Sequence, residues 1–168
     1  GSVKSYFRNS IIEYGEQYFL GNGITNHNGR PHAEYNALSL LPKKYTKFSL
    51  YSTLEPCSHY GKTPPCVNKI INTKVKRVFF SINDPDKRSE NKCKRILERN
   101  KIATSTKILN SEAKVFYKSY IKSKKASLPY VACKIAISKD HFIKNKKYKN
   151  ITNSFSRGRA HLLRAKHD

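Results

Sequence analysis

Between residues 47 and 125, short apolar runs of strand length alternate with segments that have helical periodicity. We predict strands at 47–54 (KFSLYSTL), 75–82 (VKRVFFSI) and 102–109 (IATSTKIL). Helices are predicted near 65–72, 91–99 and 111–125. Strands that alternate with helices form a sheet with helices on its faces, so this half of the chain predicts an α/β fold.

The two ends of the chain differ from this middle part. Upstream, the pattern predicts a hairpin at 11–20 with its turn at 14–16, and a short helix from His32 that Pro42 stops. Downstream, 130–138 (YVACKIAIS) predicts a buried strand and 154–166 (SFSRGRAHLLRAK) a helix. We therefore interpret residues 1–126 as one domain and residues 127–168 as the incomplete beginning of a second.

The net charge of +23, from 34 Lys and Arg against 11 Asp and Glu, is spread along the whole chain. The charge is mostly Lys and accompanies abundant Asn, Ile and Tyr. We therefore attribute it to the overall composition of the chain rather than to a surface that binds nucleic acid. No apolar run approaches membrane-spanning length, so the expected location is cytoplasmic, without a membrane partner. Four cysteines in such a protein favour metal binding or catalysis over disulfides.

Two motifs carry the chemistry: PHAE at 31–34 and TLEPCSHYGKTPPC at 53–66. His32, Cys57 and Cys66 supply one imidazole and two thiolates, which is the ligand set of a catalytic zinc with an open fourth position. We expect both cysteines at or near helix starts, where the helix dipole favours thiolate. The alternative is a buried histidine with two core cysteines. Cys93 and Cys133 are expected to be small apolar core residues.

Glu34 follows His32 by two residues on the same predicted helix. A carboxylate there can reach the water that the metal activates without becoming a ligand, and can pass its proton to a ring nitrogen and a leaving amine. This H-x-E … P-C … C order is typical of zinc-dependent deaminases, so Glu34 is the predicted proton shuttle.

Eight residues, 58–65, separate the two cysteines, although most zinc deaminases have two at this place. With this spacing, HAE and TLEPCSHYGKTPPC resemble the deaminase domain of the bifunctional riboflavin-biosynthesis deaminase/reductase family. The resemblance continues through VFFSINDPD at 78–86. The segments LPYVACKIAISKD and ITNSFSRGRAHLLRAKHD are similar to the beginning of that family's reductase domain.

The resemblance implies a three-layer α/β/α cytidine-deaminase-like sandwich with a mixed central sheet, followed by an incomplete start of an α/β reductase domain. It implies Zn²⁺ on the three ligands named above, and a phosphoribosylated diaminopyrimidine as substrate. Substrate-binding roles fall on His59 for the ribose or ring edge, Lys62 for the phosphate and Asp84 for an exocyclic amine. NADPH belongs to the complete reductase of the family and is not expected to bind this chain.

The sequence departs from the family at three places. The family begins with a helix and an N-P-x-V-G segment, of which only Gly1–Val3 correspond to the tail. Thr25 stands where the family often has a histidine, and residues 138–141 read SKDH where its reductase has S-x-D-G. We therefore expect no reductase activity from this chain. A nucleoside, tRNA or other nucleic-acid deaminase, an inactive zinc-binding fragment, and assembly into a homo-oligomer all stay open.

Overall fold

The computed structural model describes residues 9–14, 18–27, 29–42, 44–45, 47–126, 128–143 and 151–165. Most of the predicted turn at 14–16 and the segment at 144–150 lie outside these residues. The chain divides into two compact units, Gly1–Tyr130 and Val131–Asp168. Among the described residues, no helix combines the length and the apolar character needed to cross a bilayer.

The first unit is organised around one five-stranded sheet with the strand order β2-β1-β3-β4-β5. The strands are β1 (Asn9–Tyr14), β2 (Tyr18–Ile24), β3 (Phe48–Leu54), β4 (Val75–Ile82) and β5 (Ala103–Thr106). β1 is antiparallel to both of its neighbours, while β3, β4 and β5 run parallel. The sheet is therefore mixed, as the resemblance implied, and the parallel strands are joined by helical crossovers.

Six helices are described: α1 (Ala33–Ser39), α2 (Cys66–Ile71), α3 (Lys92–Arg99), α4 (Asn110–Phe116), α5 (Lys118–Ala126) and α6 (Ser154–Ala165). Helices α1, α2 and α3 pack on one face of the sheet, where side chains such as Leu50, Val78 and Leu97 form the main apolar cluster. On the other face, Thr53 Oγ1 lies 2.7 Å from the hydroxyl of Tyr117, which ends α4. Because alternate strand residues point to opposite faces, these contacts give the predicted three-layer sandwich.

Gly23 allows α1 to approach the sheet closely. A Cβ atom at this position would lie 2.2 Å from the carbonyl oxygen of Ala33 and 2.5 Å from the backbone nitrogen of Ala37. Both alanines are buried, so the small residues on the helix and the glycine on β2 together set the distance between the two elements. This close contact positions the first turn of α1, which carries the functional side chains.

Several sequence predictions are wrong in detail. The helix predicted at 111–125 is two helices, because Tyr117 leaves helical geometry at φ −91° and ψ 12° between α4 and α5. The segment predicted as a buried strand at 130–138 has no regular secondary structure, and Val131 is 77 % exposed. Its alternation of apolar residues is real, but no strand of the described residues pairs with it. Cys133 is exposed rather than a core residue, whereas Cys93 is buried as predicted.

Candidate metal centre and active site

His32 occupies the N-cap position of α1, with extended backbone geometry (φ −72°, ψ 162°), and its side chain makes no capping hydrogen bond. The capping role passes to Thr25, whose hydroxyl accepts the hydrogen bond from the Ala33 N–H at 3.2 Å. An orphan N–H at a helix start is thus satisfied from a neighbouring loop. The imidazole of His32 is consequently available for another role, and it is 8 % exposed.

The two cysteines lie at the other side of the cluster. Cys66 is the first residue of α2, as predicted, but Cys57 lies in the loop after β3 and not at a helix start. Cys57 is nevertheless near the start of α2, because the Cys66 backbone N–H donates a hydrogen bond to Cys57 Sγ at 3.3 Å. The Val67 N–H donates to the Cys57 carbonyl at 3.2 Å, which fixes the loop on the first turn of α2.

The structure brings His32, Cys57 and Cys66 together in the interior. One nitrogen or sulfur atom from each lies within 4.8 Å of the other two, and His32 Nδ1 is 3.4 Å from Cys66 Sγ. Hydrogen bonds from the Cys66 side chain and from His32 hold the pKa of the Cys57 thiol far below its usual range, although burial opposes this effect. A buried imidazole with two sulfurs, one of them favoured as thiolate, fits Zn²⁺.

Glu34 lies beside this cluster in the first turn of α1 and is fully buried. Its Oε2 is 3.7 Å from Cys66 Sγ, and the Ser52 hydroxyl lies 3.4 Å from its Oε1. That hydroxyl makes a shorter bond, of 2.8 Å, to the Leu54 carbonyl, so it is only a weak donor to Glu34. The carboxylate is therefore close to the predicted metal position and weakly held by its surroundings.

The predicted substrate-binding residues have three different environments. Lys62 is exposed at the tip of the loop between the cysteines. His59 is half-buried, with Nδ1 2.6 Å from Ser89 Oγ, and burial together with the charge of Arg88 lowers its pKa. Asp84 is almost fully buried, and its Oδ1 accepts hydrogen bonds from the Tyr120 hydroxyl and the Asp86 N–H.

Arg30 is a residue of this site that the sequence analysis missed. Its Nη1 donates to Thr63 Oγ1 at 2.8 Å and lies 3.9 Å from Cys57 Sγ. Its Nη2 would be 3.0 Å from a Cβ at Gly61, so the glycine makes room for the guanidinium against the loop. Arg30 immediately precedes the PHAE motif, but nothing in its local sequence indicates a contact with a loop 33 residues away.

Glu55 is a second missed residue, although it lies within the cysteine motif. It is fully buried, and its carboxylate accepts backbone hydrogen bonds from Asp84, Asn91 and Cys93 at 3.0, 3.2 and 3.0 Å. Burial raises its pKa in spite of these bonds. Glu55 joins the end of β3 to the loop after β4 and to the start of α3, so it supports the wall of the site.

Comparison with known proteins places this geometry in a class. Residues 10–82 match the family described as the cytidine and deoxycytidylate deaminase zinc-binding region. The mixed sheet and the cluster of His32, Cys57 and Cys66 agree with that match, so the chain has a zinc-binding, cytidine-deaminase-like domain.

A more specific relationship follows from one relative. The chain is 36 % identical over 110 residues to the diaminohydroxyphosphoribosylamino-pyrimidine deaminase of Buchnera aphidicola subsp. Acyrthosiphon pisum, covering 66 % of this chain and 75 % of that protein. The chain therefore belongs to the diaminohydroxyphosphoribosylaminopyrimidine deaminase family, which confirms the resemblance found in the motifs.

Longer relatives give the same result. The riboflavin biosynthesis protein RibD of Bacillus amyloliquefaciens is 37 % identical over 125 residues, which are 74 % of this chain and 34 % of the relative. The Thermotoga maritima diaminohydroxyphosphoribosylaminopyrimidine deaminase/5-amino-6-(5-phosphoribosylamino)uracil reductase superposes with a TM-score of 0.84 at 30 % identity, covering 94 % of this chain and 46 % of that structure. The chain thus spans about a third of the length of the RibD relatives that it matches.

Proposed function

We propose that the chain is a zinc-dependent deaminase that hydrolyses 2,5-diamino-6-(5-phosphoribosylamino)pyrimidin-4-one to 5-amino-6-(5-phosphoribosylamino)uracil and ammonia, an early step of riboflavin biosynthesis. The observation that carries the proposal is the buried cluster of His32, Cys57 and Cys66 with the Glu34 carboxylate 3.7 Å from Cys66 Sγ. Membership of the diaminohydroxyphosphoribosylaminopyrimidine deaminase family supports the class of substrate.

In this proposal, His32, Cys57 and Cys66 would hold a zinc ion. Bound zinc supplies the Lewis acidity that makes a water molecule nucleophilic near neutral pH. Glu34 takes a proton from that water and delivers it to a ring nitrogen, and then assists the departure of the amine. A C–O bond forms at the pyrimidine carbon, its C–N bond breaks, and ammonia leaves. The weak hydrogen bonding of Glu34 supports a role that requires it to exchange protons.

The substrate is proposed to contact the loop between the cysteines. Lys62 is exposed, so it can pair with the 5′-phosphate as a mobile point charge. His59 contacts a ribose or ring oxygen. Asp84 is proposed for the exocyclic amine, although its burial and its bonds to Tyr120 and Asp86 leave it the least accessible of the three.

The wider assignments are part of the same proposal. Residues 127–168 correspond to the beginning of a reductase domain, which is supported by the match of the Thermotoga deaminase/reductase to 94 % of this chain. A cytoplasmic location is proposed because free cysteines at a zinc site need a reducing compartment. Homo-oligomer formation stays a prediction, which light scattering of the purified chain would test.

The decisive experiment is ammonia release from the diaminopyrimidine ribosyl phosphate by the zinc-loaded chain, with Glu34→Gln as the control. Turnover by the parent chain and its loss in the variant would support both the reaction and the proton shuttle. A folded chain with one zinc ion that releases no ammonia from this substrate would overturn the proposal. Cytidine, adenosine and a single-stranded RNA as parallel substrates test for a nucleoside or nucleic-acid deaminase.

A further inference from the structure

Ser89 contacts the loop between the two cysteines from outside the predicted site. It is fully buried in the turn after β4, where its N–H donates to the Asp86 carbonyl at 2.8 Å. Its Oγ accepts a hydrogen bond from the Ser58 N–H at 3.3 Å and lies 2.6 Å from His59 Nδ1. One hydroxyl group thus holds two consecutive residues of the loop.

The Ser89 hydroxyl has a single proton to donate, and this determines the tautomer of His59. A serine hydroxyl has one proton to donate and lone pairs that accept, and the Ser58 N–H already occupies a lone pair. Among the contacts of the described residues, His59 Nδ1 is the acceptor for that proton. If Nδ1 carried a proton instead, a fully buried hydroxyl would be left without this acceptor for its own proton, which is unfavourable. Nδ1 therefore accepts, and Nε2 carries the proton of the neutral ring.

The Nε2 atom lies on the side of the loop that faces Gly61. A Cβ atom at Gly61 would be 3.9 Å from His59 Nε2 and 3.0 Å from Arg30 Nη2, so both donors border the same glycine. Gly61 and the neighbouring Lys62 are exposed, which leaves this side open to a ligand. The groups on this side are N–H donors, and they match a ligand that presents oxygen acceptors.

We propose that Ser89 is a positioning residue that fixes His59 as an Nε2–H donor toward an oxygen acceptor of the substrate. The inference rests on the proposed function for the identity of the substrate, but the hydrogen-bond arrangement does not depend on turnover. Ribose hydroxyls and phosphate share the required acceptor chemistry. The substrate without its 5′-phosphate distinguishes these two acceptors. His59→Asn raises the KM for this dephosphorylated substrate only if the acceptor is on the ribose or ring.

The tautomer is measured directly by ¹⁵N NMR of the zinc-loaded full chain, with His59→Gln to assign the resonance. We expect the Nε2–H tautomer of His59 in the parent chain, its retention in Ser89→Thr, and a mixed or inverted tautomer in Ser89→Ala. An Nδ1–H tautomer in the parent chain would overturn the proposal, as would an unchanged Nε2–H tautomer in Ser89→Ala. The parent measurement decides the question even if one variant fails to fold.

Kinetics test the contact with the substrate. Ser89→Ala and His59→Asn are expected to raise KM about tenfold, the loss of one hydrogen bond, with kcat within about twofold of the parent value. His59→Gln keeps an amide N–H near the Nε2 position and is expected to stay closer to the parent chain. If Ser89→Ala, His59→Asn and His59→Gln all had the same KM, the role of His59 as a donor would be overturned. No turnover by any chain, with the tautomer as expected, would reject the proposed function and leave the Ser89–His59 arrangement established.

Discussion

Among the described residues of the first unit, Glu34 and Glu55 are the two fully buried glutamates, and they are held very differently. Glu55 accepts three backbone N–H groups from the turn after β4 and the start of α3. With the described residues, Glu34 makes a 3.4 Å contact with Ser52 Oγ and a 3.7 Å contact with Cys66 Sγ.

The difference separates a structural carboxylate from one that is suited to chemistry. A buried polar group with several strong hydrogen bonds is stabilised in one state, and changing its proton content disrupts those bonds. A buried carboxylate with weak contacts next to a metal site keeps its oxygen atoms available to a water molecule or a substrate. We therefore expect changes at Glu34 to affect the reaction and changes at Glu55 to affect folding.

The largest expected effect is the loss of activity in Glu34→Gln. Removal of a general acid–base group costs about 10²–10⁴-fold in rate, and glutamine fills the same volume without being able to shuttle protons. Zinc content and the free energy of unfolding should stay close to the parent values, because the contacts of the side chain with the described residues are weak. Single-turnover ammonia release measures the loss of activity, and urea unfolding measures the free energy of unfolding. A variant that unfolds easily but turns over normally would reverse the roles of the two glutamates.

Gly23→Ala tests the support on which Glu34 depends. The new Cβ would meet backbone atoms of Ala33 and Ala37 at 2.2 and 2.5 Å, so α1 must move away from β2. We expect a loss of about 3 kcal/mol in the free energy of unfolding, at the upper end of overpacking effects. Zinc affinity should fall as well, because the predicted ligand His32 is the N-cap residue of α1 and moves with it.

Gly21→Ala on the same strand is the matched control for this change. Apart from its chain neighbours, no atom of the described part of the chain lies within 4 Å of the Cβ position at Gly21, so the free energy of unfolding of this variant should change by no more than about 0.5 kcal/mol. Equal losses in the two variants, measured by urea unfolding, would show that strand propensity rather than the approach of α1 is responsible.

Glu55→Gln is expected to lower the free energy of unfolding by about 2 kcal/mol. The amide keeps one oxygen, but its NH₂ group cannot accept the Asp84 and Asn91 N–H bonds that Oε2 receives. In the folded variant we expect zinc binding to persist, since Glu55 is not a predicted ligand. Chemical unfolding of zinc-loaded protein gives the stability, and a loss smaller than that of Glu34→Gln would contradict the comparison.

The residues that sequence could predict are those whose chemistry is local. The spacing of His32, Glu34, Cys57 and Cys66 indicated a metal site because their residue types suffice to identify it, and the structure brings these four side chains together. The alternation of strands and helices likewise predicted the sheet. Both predictions use information contained in short segments of the chain.

The remaining features depend on contacts between distant segments. Glu55 is in the quoted motif, yet its function follows from N–H donors 29 to 38 residues away, which no local pattern reveals. The contact of Arg30 with Thr63 is of the same kind. The segment at 130–138 shows the converse, because its strand-like alternation lacks a pairing partner among the described residues.

The smallest expected effect concerns a third carboxylate, Asp86, which is held by cationic side chains rather than by a buried set of N–H groups. Arg88 Nη2 and Lys124 Nζ lie 2.6 and 3.0 Å from its Oδ2. The hydrogen bonds from Arg88 hold the pKa of the Asp86 carboxyl below its usual range. Since both cations are partly exposed, we expect Asp86→Asn to cost only about 1 kcal/mol at neutral pH.

The stability difference between the parent chain and Asp86→Asn depends on pH with a definite sign. The carboxyl of Asp86 has a lower pKa in the folded chain than the value of about 3.9 expected after unfolding, so the folded state binds fewer protons. Its stabilisation is therefore complete above about pH 5 and is lost as the pH falls toward about 2. When the parent chain and Asp86→Asn are unfolded across this pH range, the difference between their free energies of unfolding should shrink as the pH falls. Glu98→Gln, at an exposed pair with Lys94, serves as control. A difference that widens as the pH falls would mean that burial raises the pKa of Asp86, as it raises that of Glu55, and outweighs the two cations.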